Sequence, residues 1–325
     1  MSTNLKISIE KSRDDDSLKQ NFKHIRFEGK SINYIIINTL RRIILNHIPT
    51  YAFEYKNIDI NQNTSVYNNN YMKNRIEMFP IPNIENNLDF ENFDELNKYI
   101  RNIKSYKVEE KDIEEDENIL TMYVKKDNKT NEILNITTDD CEFYQGNKKI
   151  NTIYKNALLV CKLKPKEVLE FSAKSGLGVA LNHACYSCVS ACCYEMETDH
   201  NFLFKIEAIS QLNEIDILIR SCDIINYILT NLKNKLLENK NLDDKKGYII
   251  LENHDHTIGN LISRELQDHK DIKFAAYKID HLLIRNVSIY YEVNDTNIYK
   301  ILEDCFKKIL KQFIEIKKNI SILKK

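Results

Sequence analysis

Four cysteines lie close together in the segment Cys185–Cys193. A Cys-x-x-Cys pair with two further thiols nearby can hold zinc or an iron–sulfur cluster. The residues between them are typical of a strand, in which Cys185 and Cys193 would share one face. Cys188 and Cys192 would share the other face, and thiolates on opposite faces of a regular strand cannot converge on one ion. We therefore predict buried structural cysteines and no metal site, with a stand-alone metalloprotein or interaction module as the alternative.

Two other clusters contain residue types that can bind a metal. His254-Asp255-His256 offers imidazoles and a carboxylate, but Asp255 or Thr257 is well placed to cap a following helix. Asp14-Asp15-Asp16 lies among lysines and serines, which is typical of a solvated loop. The sequence contains neither a glycine-rich phosphate loop nor a Gly-x-Ser-x-Gly motif. We predict no catalytic residue and no cofactor.

Two adjacent arginines lie on a helix that the apolar spacing predicts between Ser31, its expected N-cap, and Pro49. The residues of its core face recur at helical spacing: Ile32, Ile36, Leu40 and Ile43. The residues of another face are linked by steps of three and four: Asn38, Arg41, Arg42 and Leu45. Such a face either meets a partner that accepts guanidinium hydrogen bonds or is simply solvated.

The predicted element order repeats, because both ends of the chain show a strand, a helix, a strand and a long amphipathic helix. Asn38 and Asn260 are 222 positions apart, and so are Arg42 and Arg264. The long helices are predicted at 214–239 and 295–319. Their apolar stripes are Leu218, Ile225, Leu229 and Leu232 in the first, and Ile298, Leu302, Ile309 and Phe313 in the second. Two such units should pair within the chain rather than form a homo-oligomer.

The sequence therefore predicts an α+β fold with two dimerisation modules, each an antiparallel sheet plus long helices, paired as an intramolecular pseudo-dimer. The predicted bounds are 1–60 and 165–240 for the first module, 61–164 for an inserted, mostly β subdomain, 241–247 for a linker and 248–325 for the second module. The net charge of −1 argues against a protein that mainly holds phosphate backbones. The composition predicts a soluble, intracellular protein with free thiols and no membrane span.

Motifs in the first module resemble the α-type subunits of multisubunit DNA-directed RNA polymerases, which include the third-largest subunit of the eukaryotic enzyme. Asn38-Thr39-Leu40-Arg41-Arg42, followed by Ile48-Pro49-Thr50, resembles their assembly helix. The segment 75–81 resembles the turn that follows. His183-Ala184-x-Tyr186-Ser187 resembles their His-Ala-Lys-aromatic-Ser strand, with Cys185 at the position of the lysine.

The last 80 or so residues resemble the small partner subunit of the same enzymes. The segments 252–262 and 274–282 are similar to its two motifs. The motif residues are His256, Thr257, Gly259, Asn260, Arg264, Tyr277 and His281. The presence of both subunit types in one chain resembles the fused subunit found in large DNA viruses.

The resemblance implies a non-catalytic assembly subunit whose paired modules form a platform for the two large catalytic subunits. It implies that the face with Asn38, Arg41, Arg42 and Leu45 contacts the second-largest subunit, with the second module nearer the largest. Small polymerase subunits are further implied partners, and DNA is reached only through the complex. The implied location is a viral cytoplasmic factory or virion for a viral protein, and the nucleus for a cellular one. A self-contained nucleic-acid binder is a third hypothesis, which the balanced charge disfavours.

Overall fold

The computed structural model describes residues 5–13, 21–82, 119–146, 148–209, 211–238, 245–279, 281, 286–294 and 297–324. Asp14-Asp15-Asp16 and most of the predicted linker lie outside these residues. Of the helices described, none is both long and apolar enough to cross a membrane.

The described residues form strands in four antiparallel sheets, together with five α-helices. The strands are β1 Lys6–Arg13, β2 Asn21–Glu28, β3 Pro49–Asn63, β4 Leu120–Asp127, β5 Leu134–Thr137, β6 Glu142–Gln145, β7 Lys148–Ile150, β8 Leu159–Leu163, β9 Val168–Val179, β10 Val189–Thr198, β11 Asn201–Ala208, β12 Lys246–Glu252, β13 Ile272–Lys278 and β14 Asn286–Val293. The helices are α1 Tyr34–Asn46, α2 Asn69–Glu77, α3 Glu214–Glu238, α4 His256–Gln267 and α5 Ile298–Ile322.

The two modules share one strand order, which confirms the predicted two-module fold. The first sheet runs β1-β2-β11-β10 and the second runs β12-β14-β13. Strand β2 is therefore equivalent to β12, β11 to β14 and β10 to β13, with β1 an additional edge strand. A short helix follows the first strand of each unit (α1 or α4), and a long helix of 25 residues follows the last (α3 or α5).

The modules pair through the long helices α3 and α5. Lys317 Nζ lies 2.6 Å from Asp223 Oδ1, and Lys324 Nζ lies 2.6 Å from Asp216 Oδ1. The two helices therefore run antiparallel. All eight predicted dimerisation-helix residues are buried in a single core that both modules share: Leu218, Ile225, Leu229, Leu232, Ile298, Leu302, Ile309 and Phe313.

The inserted subdomain has a core of its own. Its five-stranded sheet runs β3-β9-β4-β6-β7, and β5 pairs with β8 in a separate two-stranded sheet. Strands β3 and β9 belong to this five-stranded sheet, although the sequence assigned 49–60 and 165–179 to the first module. The predicted bounds of 61 and 164 would cut β3 and leave out β9, so we propose 49–179 for the subdomain.

Two local predictions are wrong. Asn33, not Ser31, is the N-cap of α1, because its Oδ1 accepts from the N–H groups of Ile35 and Ile36 at 3.0 Å. The predicted regular strand through the cysteines also begins only at Val189, because Ala184–Tyr186 forms a 3₁₀ turn. A bulge in the pairing of β10 with β11 then shifts the alternation. Val189 is consequently buried, and Cys193 is exposed rather than on the same strand face as Cys185.

Candidate protein-interaction surface

Helix α1, which carries the arginine pair, packs against α3, α4, β10 and β11. Its aliphatic residues fill the shared core: Ile35, Ile36, Ile37, Leu40, Ile43 and Ile44 are all buried. A helix that is apolar on so much of its circumference leaves only a narrow polar stripe. That stripe contains the four residues predicted to form a docking surface.

Arg41 is held by its neighbour one helical turn earlier. Its Nε and Nη2 donate to Asn38 Oδ1 at 3.0 and 2.9 Å. Within the described part of the chain, the guanidinium forms no ion pair with a carboxylate. Arg41 is partly exposed, so a positive group with a fixed orientation faces outward beside Asn38 and the partly exposed Leu45.

Arg42 contacts the second module instead. Its Nη2 lies 3.3 Å from Asp255 Oδ2, and its Nε donates to Thr257 Oγ1 at 3.5 Å. Asp255 is the N-cap of α4, since its Oδ1 accepts from the N–H of Thr257 at 2.8 Å. The structure therefore separates the two adjacent arginines, because Arg42 bridges the modules whereas Arg41 stays within α1 and is partly exposed.

The environment of Asp255 favours its ionised form. Burial acts to raise its pKa, but hydrogen bonds from Thr257 and the nearby His47 and Arg42 outweigh burial and hold the pKa below its ordinary value. A carboxylate at a helix N-terminus is also stabilised by the helix dipole. The charge of Asp255 thus serves both the cap of α4 and the contact between modules.

Replacing Asp255 with asparagine tests this charge, because asparagine retains a capping oxygen. We expect Asp255→Asn to lower the free energy of unfolding at pH 7 by about 1 kcal/mol or less, since the ion pair is partly exposed. A carboxyl whose folded pKa is lowered stabilises the protein above its unfolded pKa and loses that contribution as pH falls through the folded pKa. The difference between wild type and variant should therefore shrink below about pH 4.

Urea unfolding at pH 7 and in steps below pH 4 measures this difference. Asp268→Asn is the matched control, because Asp268 lies at the other end of α4 and contacts exposed Arg264 at 3.4 Å. Asp268→Asn should change the free energy of unfolding little at either pH. A difference between wild type and Asp255→Asn that stays constant on acidification would contradict the assigned role of the charge.

Several motif residues of the second module pack α4 against its sheet. A Cβ on Gly259 would lie 2.6 Å from Val287 Cγ1 and 3.0 Å from Tyr277 Cδ2, so the glycine allows α4 to approach the sheet closely. The His256 ring stands edge-on to Tyr277, with centroids 5.8 Å apart. Thr257 is buried, Asn260 is partly buried, and both Arg264 and His281 are exposed. These residues lie on α4, on β13 and, for His281, beyond the end of β13.

The cysteines do not form the cluster that their spacing allows. All eight are free, and burial raises the pKa of both Cys188 and Cys192 to about 12, so these thiols are protonated at neutral pH. Cys188 Sγ lies 3.5 Å from the carbonyl oxygen of Ile44. Cys185 instead lies near Glu77 and His183. Sequence reasoning missed Glu77, because it lies about 100 positions from the cysteines along the chain and only the fold brings it to Cys185.

Comparison with known proteins agrees with this arrangement. The model of the RNA polymerase Rpb3/Rpb11 dimerisation domain matches residues 26–229, from β2 into α3. The chain belongs to this family. A second model of the Rpb3/Rpb11 dimerisation domain matches residues 247–319, from β12 into α5. Two Rpb3/Rpb11 domains are therefore fused in one polypeptide.

Relatives of the fused Rpb3/Rpb11 chain include a viral protein and two subunits of RNA polymerase II. It is 28% identical over 338 residues to R470 of Acanthamoeba polyphaga mimivirus, named as a DNA-directed RNA polymerase subunit, covering 96% of this chain and 92% of that protein. It is 31% identical over 82 residues to RNA polymerase II subunit RPB11 of Schizosaccharomyces pombe, covering 24% of this chain and 67% of RPB11. The corresponding Dictyostelium discoideum subunit is 36% identical over 63 residues, or 19% of this chain and 52% of the subunit. The match along nearly the whole mimivirus protein fits a fused viral form.

Proposed function

We propose that this chain is a non-catalytic assembly subunit of a DNA-directed RNA polymerase, and that its paired modules form the platform on which the two large catalytic subunits assemble. The single core shared by the two Rpb3/Rpb11 modules carries this proposal. A covalently linked pair has a high effective concentration and needs no separate dimerisation step. The names of the relatives, all RNA polymerase subunits, support the same role.

The docking surface for the second-largest subunit is the outward stripe of α1 with Asn38, Arg41 and Leu45. Arginine suits bidentate hydrogen bonds to a carboxylate and is frequent among residues that dominate interface energies. Because Asn38 already orients the guanidinium, binding loses less side-chain entropy. Arg42 supports this surface indirectly, by fixing α4 against α1.

Other partners follow from this role. The second module is proposed to lie nearer the largest subunit, small polymerase subunits are proposed to bind as well, and DNA is reached only through the complex. Phosphoryl transfer by these polymerases needs an Asp-rich metal site, and the sequence contains no Asp-Phe-Asp-Gly-Asp motif. We accordingly propose that the active site belongs to another subunit. The proposed location is the site of viral transcription or the virion.

Substitution of Arg41 tests the docking surface. We expect Arg41→Ala to leave the unfolding midpoint unchanged, because within the described part of the chain its guanidinium hydrogen-bonds only to Asn38, on the same helix. Recovery of the large polymerase subunits with the tagged chain should fall by at least about tenfold, as expected for an interface hot spot. Quantitative mass spectrometry of the purified complexes measures the recovery.

Lys307→Ala is the control, because Lys307 is an exposed cation on α5 whose ion-pair partner is Glu303 in the same helix. It should leave recovery unchanged. Normal recovery with Arg41→Ala would contradict the docking surface while leaving the subunit role intact. A wild-type chain that recovers no polymerase subunit would contradict the proposed function itself.

A further inference from the structure

Three side chains of different chemistry meet where α2 ends beside the 3₁₀ turn before β10. They are Glu77, His183 and Cys185, and one ligand atom of each lies within 4.8 Å of the other two. We propose that these three residues bind a zinc ion, which links α2 of the inserted subdomain to the turn leading into β10. This inference stands independently of the polymerase role.

The spacing of the ligand atoms suits zinc. His183 Nδ1 lies 3.4 Å from Glu77 Oε1, about the edge of a tetrahedron whose metal–ligand bonds are about 2.1 Å long. Imidazole nitrogen, carboxylate oxygen and thiolate sulfur are the three kinds of ligand that zinc takes in proteins. An ion therefore needs only small side-chain movements to reach all three residues.

Glu77 is a buried carboxylate, with its side chain only 4% exposed. A buried charge needs a partner of opposite sign or strong hydrogen bonds. Its Oε1 accepts from the N–H of Tyr55 at 3.2 Å, and the ion-pair partner found for it among the described residues is His183, which is charged only when protonated. A zinc ion would compensate the buried carboxylate, and the Tyr55 bond would orient it.

The turn that carries the other two ligands is fixed by Tyr186. Its carbonyl oxygen accepts from Thr50 Oγ1 at 2.6 Å, and its hydroxyl donates to Glu54 Oε2 at 3.0 Å. Within the turn, the N–H of Cys185 lies 3.4 Å from His183 Nδ1, a long hydrogen bond that an ion bound at this nitrogen would replace. The chain therefore holds the ligands in place through contacts outside the site.

An access route is also present. A cavity of about 110 Å³ is lined by Glu77, Cys185 and Cys188, together with residues of β3 and the segment 78–81. It is large enough to hold water, which would supply the fourth ligand. The ion would thus bind at the wall of an open cavity, with three protein ligands and one exchangeable position.

Cobalt substitution of the full-length chain tests the site. We expect the chelator-treated protein to bind one Co²⁺ with a thiolate-to-cobalt charge-transfer band, and one equivalent of Zn²⁺ to displace it. Cys185→Ser should abolish the band and weaken zinc binding by more than about 100-fold, since even residues that only orient ligands cost 10–100-fold. Binding should weaken as pH falls, because the ligands must lose their protons.

Cys193→Ser and Cys188→Ser are the matched controls, since Cys193 is an exposed thiol and Cys188 a buried thiol of the same segment. Both should keep the band. If Cys185→Ser fails to fold by circular dichroism, His183→Gln takes its place, because the His183 side chain is 44% exposed. A folded wild-type chain that binds no Co²⁺, a band that survives the loss of Cys185 or His183, or a band lost with Cys188 would each overturn the proposal.

Discussion

Replacing Phe313 with alanine is expected to lower the free energy of unfolding of the whole pair of modules by about 3–5 kcal/mol. Phe313 lies on α5, is fully buried and belongs to the core that both modules share. Its loss removes the transfer free energy of the ring and leaves a cavity against the paired helix α3. Because neither module has a separate core, urea unfolding followed by circular dichroism should show a single transition for both, shifted to lower urea.

Ile314→Ala is the matched control for this substitution. Ile314 is the next residue of α5, is also large and apolar, and is 57% exposed. Its truncation should change the free energy of unfolding by about 0.5 kcal/mol at most. Equal effects of the two substitutions would contradict the shared core. Separate unfolding of the first and second modules would contradict it as well.

The long helices could be predicted from the sequence because their signal is local. A buried stripe repeats every 3.6 residues along a helix whatever it packs against. The stripe through Ile298, Leu302, Ile309 and Phe313 located α5 to within three residues at each end. The same stripes also predicted that two such helices would pair, since each needs an apolar partner.

Contacts between distant segments could not be predicted in this way. Arg42 and Asp255 each had a predicted local role, one on a helix face and one as a helix cap. Their ion pair joins residues more than 200 positions apart and needs the fold itself. The strands β3 and β9 show a similar limit, because alternation predicts a strand but does not state which sheet it joins. For this reason the sequence prediction begins the inserted subdomain at residue 61, whereas we propose that it begins with β3 at residue 49.

The candidate zinc site depends on a local backbone geometry that the spacing of the cysteines does not predict. Strand alternation assumed regular geometry from Cys185 onward, but the chain forms a 3₁₀ turn there. The turn removes Cys185 from the strand and brings it to Glu77, which belongs to a different element. A short His-x-Cys spacing was the one signal that the sequence contained.

The position of that turn depends on Gly178. A Cβ on this residue would lie 2.3 Å from two carbons of the Tyr186 ring, closer than carbon atoms pack. Tyr186 is buried and tied to Glu54 through its hydroxyl, so the ring cannot swing into solvent without losing that bond. We expect Gly178→Ala to cost about 1–3 kcal/mol of unfolding free energy through overpacking, measured by urea unfolding.

Gly176→Ala is the matched control, since Gly176 lies two residues earlier on the same face of β9. A Cβ there would meet Asn57 Nδ2 at 3.4 Å and the Tyr186 hydroxyl at 3.5 Å, which are ordinary contacts. This substitution should therefore be tolerated. In a Tyr186→Ala background, Gly178→Ala should hardly change the free energy of unfolding, because the aromatic ring that the new Cβ would overlap is absent. An undiminished cost in that background would place the strain elsewhere in β9 and contradict the assignment to Tyr186.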